Sequence, residues 1–456
     1  MRNLNANLAQ WPIGLLKRIL FAGWKQSLYK KEETMKGKKL GMGVATVALC
    51  GIVAGGAALA GCAPQATGGG EASNAASPAV PEVTLGANGV AHIADWQEVY
   101  PLQTASFLNG ANVVEERDGD NRSHSHALLA EEMEAFIPDA TYSVRCMGCH
   151  SSWFKEITES HGMTADVLNA PMASFADEFT DMEFWDCRTC HEDDPATTLK
   201  STNVIFNTIS TSYDFPEEDT ACGQCHYADT QKMFTQLEID DLYKNGVSPE
   251  GMFQTFLEFE PLMDTEIGGN NVMQMDEETG IKMYGEGSVV DLENFQGSNH
   301  QNLGLTCTSC HMPQVTDPDT GETYTSHDAS GSPIENPVAL EYCLTCHENQ
   351  GIDSPEAMKE FVLGKEDELA QGQLQLREDL AQLKEAIIAA QAAGSVDEAT
   401  LDEARMAWSK GRWYLRYTYG HEGENVGKKA AHNFDQMMDT VQQGHIIVTE
   451  GIDLLA

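Results

Sequence analysis

The sequence predicts a mainly α-helical protein with little sheet, and three features carry that expectation. Between residues 354 and 456, apolar side chains recur at three- and four-residue steps. Five copies of one short cysteine motif crowd residues 146–347. Strand-like patterning is confined to a weak signal near Met283–Val290. A length of 456 residues suits two or three domains, and 41% hydrophobic residues suffice for an ordinary core. With 70 acidic against 28 basic residues the formal charge is −42, and it is uneven. Residues 1–61 hold nine Lys/Arg and two Asp/Glu; residues 62–456 hold the remaining 19 and 68. So acidic a body excludes nucleic acid as a partner, because phosphate binding rests on clustered Lys and Arg. Basic partners or small molecules suit it better.

The amino-terminal region reads as a leader. Lys36, Lys38 and Lys39 precede an apolar, small-residue run from Leu40 to Ala60, which closes in Leu59-Ala60-Gly61-Cys62. This is the pattern of a secretory signal with a small-residue cleavage site, and Met35 is expected to be its true start. Leu-Ala-Gly-Cys resembles a bacterial lipobox, which makes Cys62 the expected lipidated residue; the competing reading is a plain transmembrane anchor through residues 40–60. Either places the body outside the cytoplasm. Residues 62–81, rich in Ala, Gly, Ser and Pro, read as a flexible tether.

Ten of the twelve cysteines then fall in five copies of Cys-x-x-Cys-His: Cys146, Cys149 and His150; Cys187, Cys190 and His191; Cys222, Cys225 and His226; Cys307, Cys310 and His311; Cys343, Cys346 and His347. At this chain's own cysteine and histidine usage, roughly 0.01 copies would arise by chance. The pattern is the attachment signature of c-type haem. Two thiols one helical turn apart can form thioethers with the vinyl groups, and the following imidazole reaches the iron. Zinc knuckles do not follow each pair with His, thioredoxin-like motifs need a preceding strand, and disulfides do not ask for the imidazole. Five covalently bound haems are therefore expected, and the fold class becomes a multihaem cytochrome c whose core is filled by haem. The pentahaem region is expected to span 82–353, with an acidic, Met- and Gly-rich interval of loops and short helices between the third and fourth motifs.

From Ser354 onward, to residue 456, long helices are expected. Leu369, Leu376, Leu380, Leu383 and Ile387 mark one over Glu366–Ala393, stopped by Gly394. Ser395-Val396-Asp397-Glu398 can cap a second running to about Tyr419, and a third covers Gly427–Ile447.

Each iron takes one motif histidine, and a low-spin haem needs a second axial ligand. Nine further histidines are available: His92, His124, His126, His161, His300, His327, His421, His432 and His445. Composition does not choose among them.

From Cys146 to the last helix the chain resembles the pentahaem, ammonia-forming cytochrome c nitrite reductases. Gly297-Ser298-Asn299-His300, Cys307-Thr308-Ser309-Cys310-His311-Met312-Pro313, Tyr324-Thr325-Ser326-His327, Ala221-Cys222-Gly223-Gln224-Cys225-His226 and the long carboxy-terminal helices carry the resemblance. It implies four bis-histidine haems with distal ligands His126, His300, His327 and His421. It leaves haem 1, at Cys146, Cys149 and His150, as the open substrate site. The resemblance also implies a homodimer through the carboxy-terminal helices and a membrane quinol-oxidising cytochrome as electron donor. Where the family commonly places Lys on the substrate iron, this chain has His150. The family's catalytic Tyr and calcium-binding Glu correspond to Asp229 and Ala228, its catalytic His to Val289 and its catalytic Arg to a place near Pro138. The missing Glu counts against calcium. Arg145 and Arg122 are the nearest basic groups to the first motif, and His161 is a candidate to cap haem 1 and close it. Two functions follow: a reductase of nitrite or a similar small substrate at haem 1, or an electron-transfer subunit feeding a separate, basic extracytoplasmic reductase.

Overall fold

Helices dominate the structure, a computed structural model that describes residues 93–112, 143–151, 153–178, 187–191, 199–228, 241–263, 273–284, 290–329, 332–419 and 426–456. The expected leader, Cys62, the tether, Arg122, His126 and His421 lie outside the described residues, as do Asp229, Val289 and Pro138. No described helix is long and apolar enough to cross a membrane.

Three long helices close the chain: α1 (Pro355–Ala393), α2 (Glu398–Tyr419) and α3 (Ala430–Asp453). The first begins well before the expected Glu366 because its start signal lies upstream. Ser354 Oγ accepts from Ala357 N–H at 3.2 Å, and Pro355 occupies the first turn, where no N–H is needed. Its end is as expected, with Gly394 left-handed at φ 57°. The cap of α2 is Asp397 rather than Ser395: its Oδ1 accepts from Thr400 N–H at 2.9 Å and Thr400 Oγ1 at 2.8 Å. Leu369, Leu376, Leu383 and Ile387 are fully buried against α2 and α3.

The three helices approach closely through glycines. A Cβ at Gly411 would stand 2.3 Å from Val448, one at Gly444 2.6 Å from Leu376, and one at Gly451 2.8 Å from Ala407. Packing therefore holds α3 helical past the expected Ile447, through Gly451, despite the low helix propensity of glycine. Near its start, Asn433 departs from helical geometry at φ −162° and ψ 76°, which sets the turn carrying His432 apart from the rest.

Beside this bundle sits an aromatic core. Phe154, Phe206, Tyr227, Phe253, Phe256 and Trp413 are all buried in one cluster. Trp413 Nε1 donates to the Pro249 carbonyl at 2.8 Å and Tyr417 Oη to that of Val247 at 2.6 Å, tying α2 to the start of the helix Pro249–Met263. Among the described residues, sheet is limited to two antiparallel hairpins. β1 (Met273–Met275) pairs with β2 (Lys282–Tyr284), at the edge of the weak strand signal. β3 (Gln314–Thr316) pairs with β4 (Thr323–Thr325), and its turn is fixed by Asp317 Oδ1 accepting from Thr320 N–H at 2.7 Å. That second hairpin delivers Ser326 and His327.

Candidate haem-binding centre

The cysteine motifs sit on short helical turns that pack onto one another. Gln224, a variable position of the third motif, is their hub. Its Oε1 accepts from Thr202 N–H at 2.8 Å and Asn203 N–H at 3.1 Å, while Nε2 donates to the carbonyls of Thr189 and Ala221, both at 2.9 Å. Thr189 belongs to the second motif and Ala221 precedes the third. Asn203 donates back to the Gln224 carbonyl at 2.8 Å, and a side chain at Gly148, in the first motif, would press on the Asn203 amide at 3.0 Å. Cys225 Sγ lies 3.8 Å from the Cys149 carbonyl and Cys149 Sγ 3.9 Å from that of Gln224. Motifs 1, 2 and 3 thus meet at one point.

The fourth motif joins through Asp219, which is fully buried. Its Oδ1 accepts from Cys307 N–H at 3.1 Å and from Cys307 Sγ at 3.2 Å. Thr306 Oγ1 adds a bond to Glu218 at 2.8 Å. Burial, with the nearby Cys343, pushes Cys310 up to about 12, so motif 5 stands beside motif 4.

Among the described residues, three pairs of imidazoles stand close to each other. His191 and His327 have ring centres 6.2 Å apart, His300 and His347 6.3 Å, and His311 and His432 6.3 Å. Two imidazoles on one metal stand about 6 Å apart, since each metal–nitrogen bond is about 2 Å and the nitrogen lies about 1 Å from its ring centre. The separations therefore fit one iron between each pair, with one ring from a cysteine motif and the other from outside it.

The outer nitrogens of several rings are held as well. His327 Nδ1 lies 3.0 Å from the Thr325 carbonyl, which leaves Nε2 for a metal, and His327 N–H donates to Ser106 Oγ at 2.8 Å. His300 is hydrogen-bonded to the backbone of Ala431. Asp291 Oδ2 lies 3.1 Å from His226 Nδ1, and its Oδ1 lies 3.4 Å from His432 Nδ1 and 2.6 Å from Lys429 Nζ. Burial holds His311 down at about 4 and keeps His300, His327 and His347 below the ordinary imidazole value. Neutral imidazole is the form that ligates. At His226 burial also acts downward, but the bond to Asp291 more than offsets it and the result is raised. Burial acts to raise Asp291, yet Lys429 and the two imidazoles together hold it well below the ordinary carboxylate range.

Of the four expected distal ligands, then, His300 and His327 each face a motif histidine. His126 and His421 lie outside the described residues, and the ring opposite His311 is that of His432. Sequence reasoning counted His432 among the spare imidazoles without selecting it. Its signal was a place in the first turn of the third long helix, just after Lys429. Arg145 donates to Asn169 Oδ1. His161 turns to Glu178 at 2.9 Å and packs edge-on to Phe175 at 4.8 Å. Ala228, at the place of the family's calcium-binding Glu, is buried and its N–H donates to Glu293 Oε1 at 2.8 Å. Gln224, Asp219, Asp291 and Glu293 carried no signal that spacing could read.

The family model described as Cytochrome c552 matches residues 120–453. Cytochrome c-552 of Haemophilus influenzae strain Rd is 24% identical over 324 residues, which cover 69% of this chain and 53% of that protein. Cytochrome c-552 of Haemophilus ducreyi is 28% identical over 155 residues, covering 34% of this chain and 28% of its own length. The chain thus spans about half, or less, of the curated relatives it matches. Among solved structures, the catalytic subunit of cytochrome c nitrite reductase from Desulfovibrio desulfuricans is similar with a TM-score of 0.57 at 18% identity, over 80% of this chain and 85% of that one. That likeness is one of fold.

Proposed function

This chain belongs to the cytochrome c552 family, with haem c as its cofactor, and from that premise we propose that it is an extracytoplasmic pentahaem reductase of nitrite or a similar small substrate. The observation that carries the reading is the 6.2–6.3 Å spacing of three imidazole pairs, each with one member from a Cys-x-x-Cys-His motif. The ten motif cysteines would hold the porphyrins, and the motif histidines would supply one axial nitrogen each. His327, His300 and His432 would cap haems 2, 5 and 4, and His126 haem 3. Haem 1, on Cys146, Cys149 and His150, is the open site by family resemblance. Haem iron stores single electrons and, with one coordination place open, takes up a small oxidised anion.

The protein's own part is to keep the motifs in contact. Gln224 and Asn203 clamp motifs 1, 2 and 3, and Asp219 fastens motif 4 to motif 3. Electrons would enter from a membrane quinol-oxidising cytochrome, with Cys62 lipidated to hold the body near that donor. Docking faces of such acidic proteins suit basic partners. The long helices α1–α3 would serve a homodimer.

One observation favours a second reading. Reducing nitrite to ammonium takes six electrons and eight protons, and Asp229, Val289 and the stretch near Pro138 stand where the family keeps its cationic and proton-donating groups. A chain so equipped would instead pass electrons to a separate, basic reductase. The ferric spectrum separates the two. A high-spin signal that shifts on adding nitrite supports the reductase, whereas a wholly low-spin, nitrite-indifferent spectrum leaves only the carrier.

A further inference from the structure

We infer that Asp291 is a single outer carboxylate shared by two neighbouring haems, setting the potentials of haem 3 and haem 4 together. The inference rests on the haem-ligand reading above. Asp291 opens the short helix Asp291–Phe295 and points its two oxygens at two different ligands. Oδ2 lies 3.1 Å from Nδ1 of His226, the motif histidine of haem 3. Oδ1 lies 3.4 Å from Nδ1 of His432, whose ring faces His311 of haem 4. The backbone fixes the arrangement, because Leu292 N–H donates to the His226 carbonyl at 2.9 Å.

An imidazole that gives its outer N–H to a carboxylate, as His226 does, gains electron density at the nitrogen bound to iron, and the carboxylate charge 3.4 Å from His432 Nδ1 acts on that ring in the same sense without a hydrogen bond. That favours the ferric state and lowers the potential. Two of the other rings are held by neutral acceptors: His327 by the Thr325 carbonyl and His300 by the backbone of Ala431. Asp291 therefore separates haems 3 and 4 from haems 2 and 5. Acting on both at once, it lowers the pair without opening a step between them. Lys429 Nζ, 2.6 Å from the same Oδ1, draws charge back and acts in the opposite sense on the same two irons.

Spectroelectrochemical titration of the purified holoprotein, with low-temperature electron paramagnetic resonance, tests this. Asp291→Asn is expected to raise the midpoints of two haems relative to the others and to move the g-values of the same two low-spin signals. Lys429→Met is expected to lower those two, and Asp291→Glu to return them toward the parent values. A purely structural role would not give opposite signs for the two changes. Movement of no haem, of one alone or of all together in Asp291→Asn overturns the inference, as does a rise with Lys429→Met. Should Asp291→Asn not fold, the sign of the Lys429→Met shift decides alone. His432→Met, measured alongside, keeps the two levels apart. If it leaves every low-spin signal unchanged the ligand reading itself fails, whereas a normal His432→Met response with silent Asp291 and Lys429 variants defeats the shared carboxylate only.

Discussion

Gln224 occupies a place that the haem-attachment signature leaves free, yet it joins three motifs. Gln224→Ala strands the N–H groups of Thr202 and Asn203 and the Thr189 carbonyl, all in buried surroundings. At about 1–3 kcal/mol for each unmade bond, the holoprotein should lose on the order of 2–5 kcal/mol in urea unfolding; a loss below 1 kcal/mol (about fivefold in the equilibrium constant) would show that the hub is dispensable. Glu293 gives a prediction in pH. Its Oε1 accepts from Ala228 N–H at 2.8 Å and Tyr243 Oη at 2.7 Å, while Oε2 is buried without a hydrogen-bond partner. Burial raises its carboxyl from 4.5 to about 7. Below pH 4.5 the folded and unfolded chains both hold the proton. Between that value and about 7 only the folded chain keeps it, so stability falls as pH rises through this window. Relative to Glu293→Gln, the parent should lose up to about 3 kcal/mol between pH 5 and pH 8, and parallel pH profiles would refute the assignment. Spacing made the ten cysteines and five motif histidines legible in the sequence. The groups that hold them were not, because Gln224, Asp219, Asp291 and Glu293 act across long stretches of chain and follow no local period.

Among the elements, α1 to α3 were the most legible, since amphipathic periodicity is a local property. Their ends were less so. Asp397 rather than Ser395 caps α2, and α3 runs beyond Ile447 because tertiary packing encloses Gly451. The small β3–β4 hairpin escaped notice, although Asp317-Pro318-Asp319-Thr320-Gly321 is turn chemistry and the hairpin places His327. Glycines supply a paired test of what binds the helices. Gly364 lies exposed in α1 with nothing within 4 Å of its would-be Cβ, so Gly364→Ala should stabilise by about 0.5–1 kcal/mol. Gly411→Ala meets Val448 at 2.3 Å and should instead destabilise by about 1–3 kcal/mol, overriding the same gain in propensity. Thermal unfolding of the two variants checks the opposite signs; equal shifts would mean that helix propensity, not packing, governs the bundle.

Across the whole molecule, the fold was legible as a class while the pairing of distant histidines was legible only in part. His300 and His327 lie near the fourth motif, whereas His432 reaches His311 from another helix. His327→Ala should convert haem 2 from low-spin to high-spin and leave the spin states of the other haems as they are; an unaltered spectrum would reassign that ligand. The body from residue 62 onward carries 68 acidic against 19 basic residues. Electron exchange with a basic redox partner should therefore slow as salt rises, because exposed charges are screened within about 10 Å at 0.1 M; a salt-independent rate would remove electrostatic docking. Finally, the ring that faces His311 of the fourth motif is that of His432, on a turn near the carboxy-terminal end of the chain. During synthesis that motif emerges long before that turn. On the ligand reading proposed above, thioether attachment there would need no downstream sequence but coordination would, so a chain arrested in α1 or α2 would carry on its fourth motif a porphyrin whose sixth position is still waiting for protein.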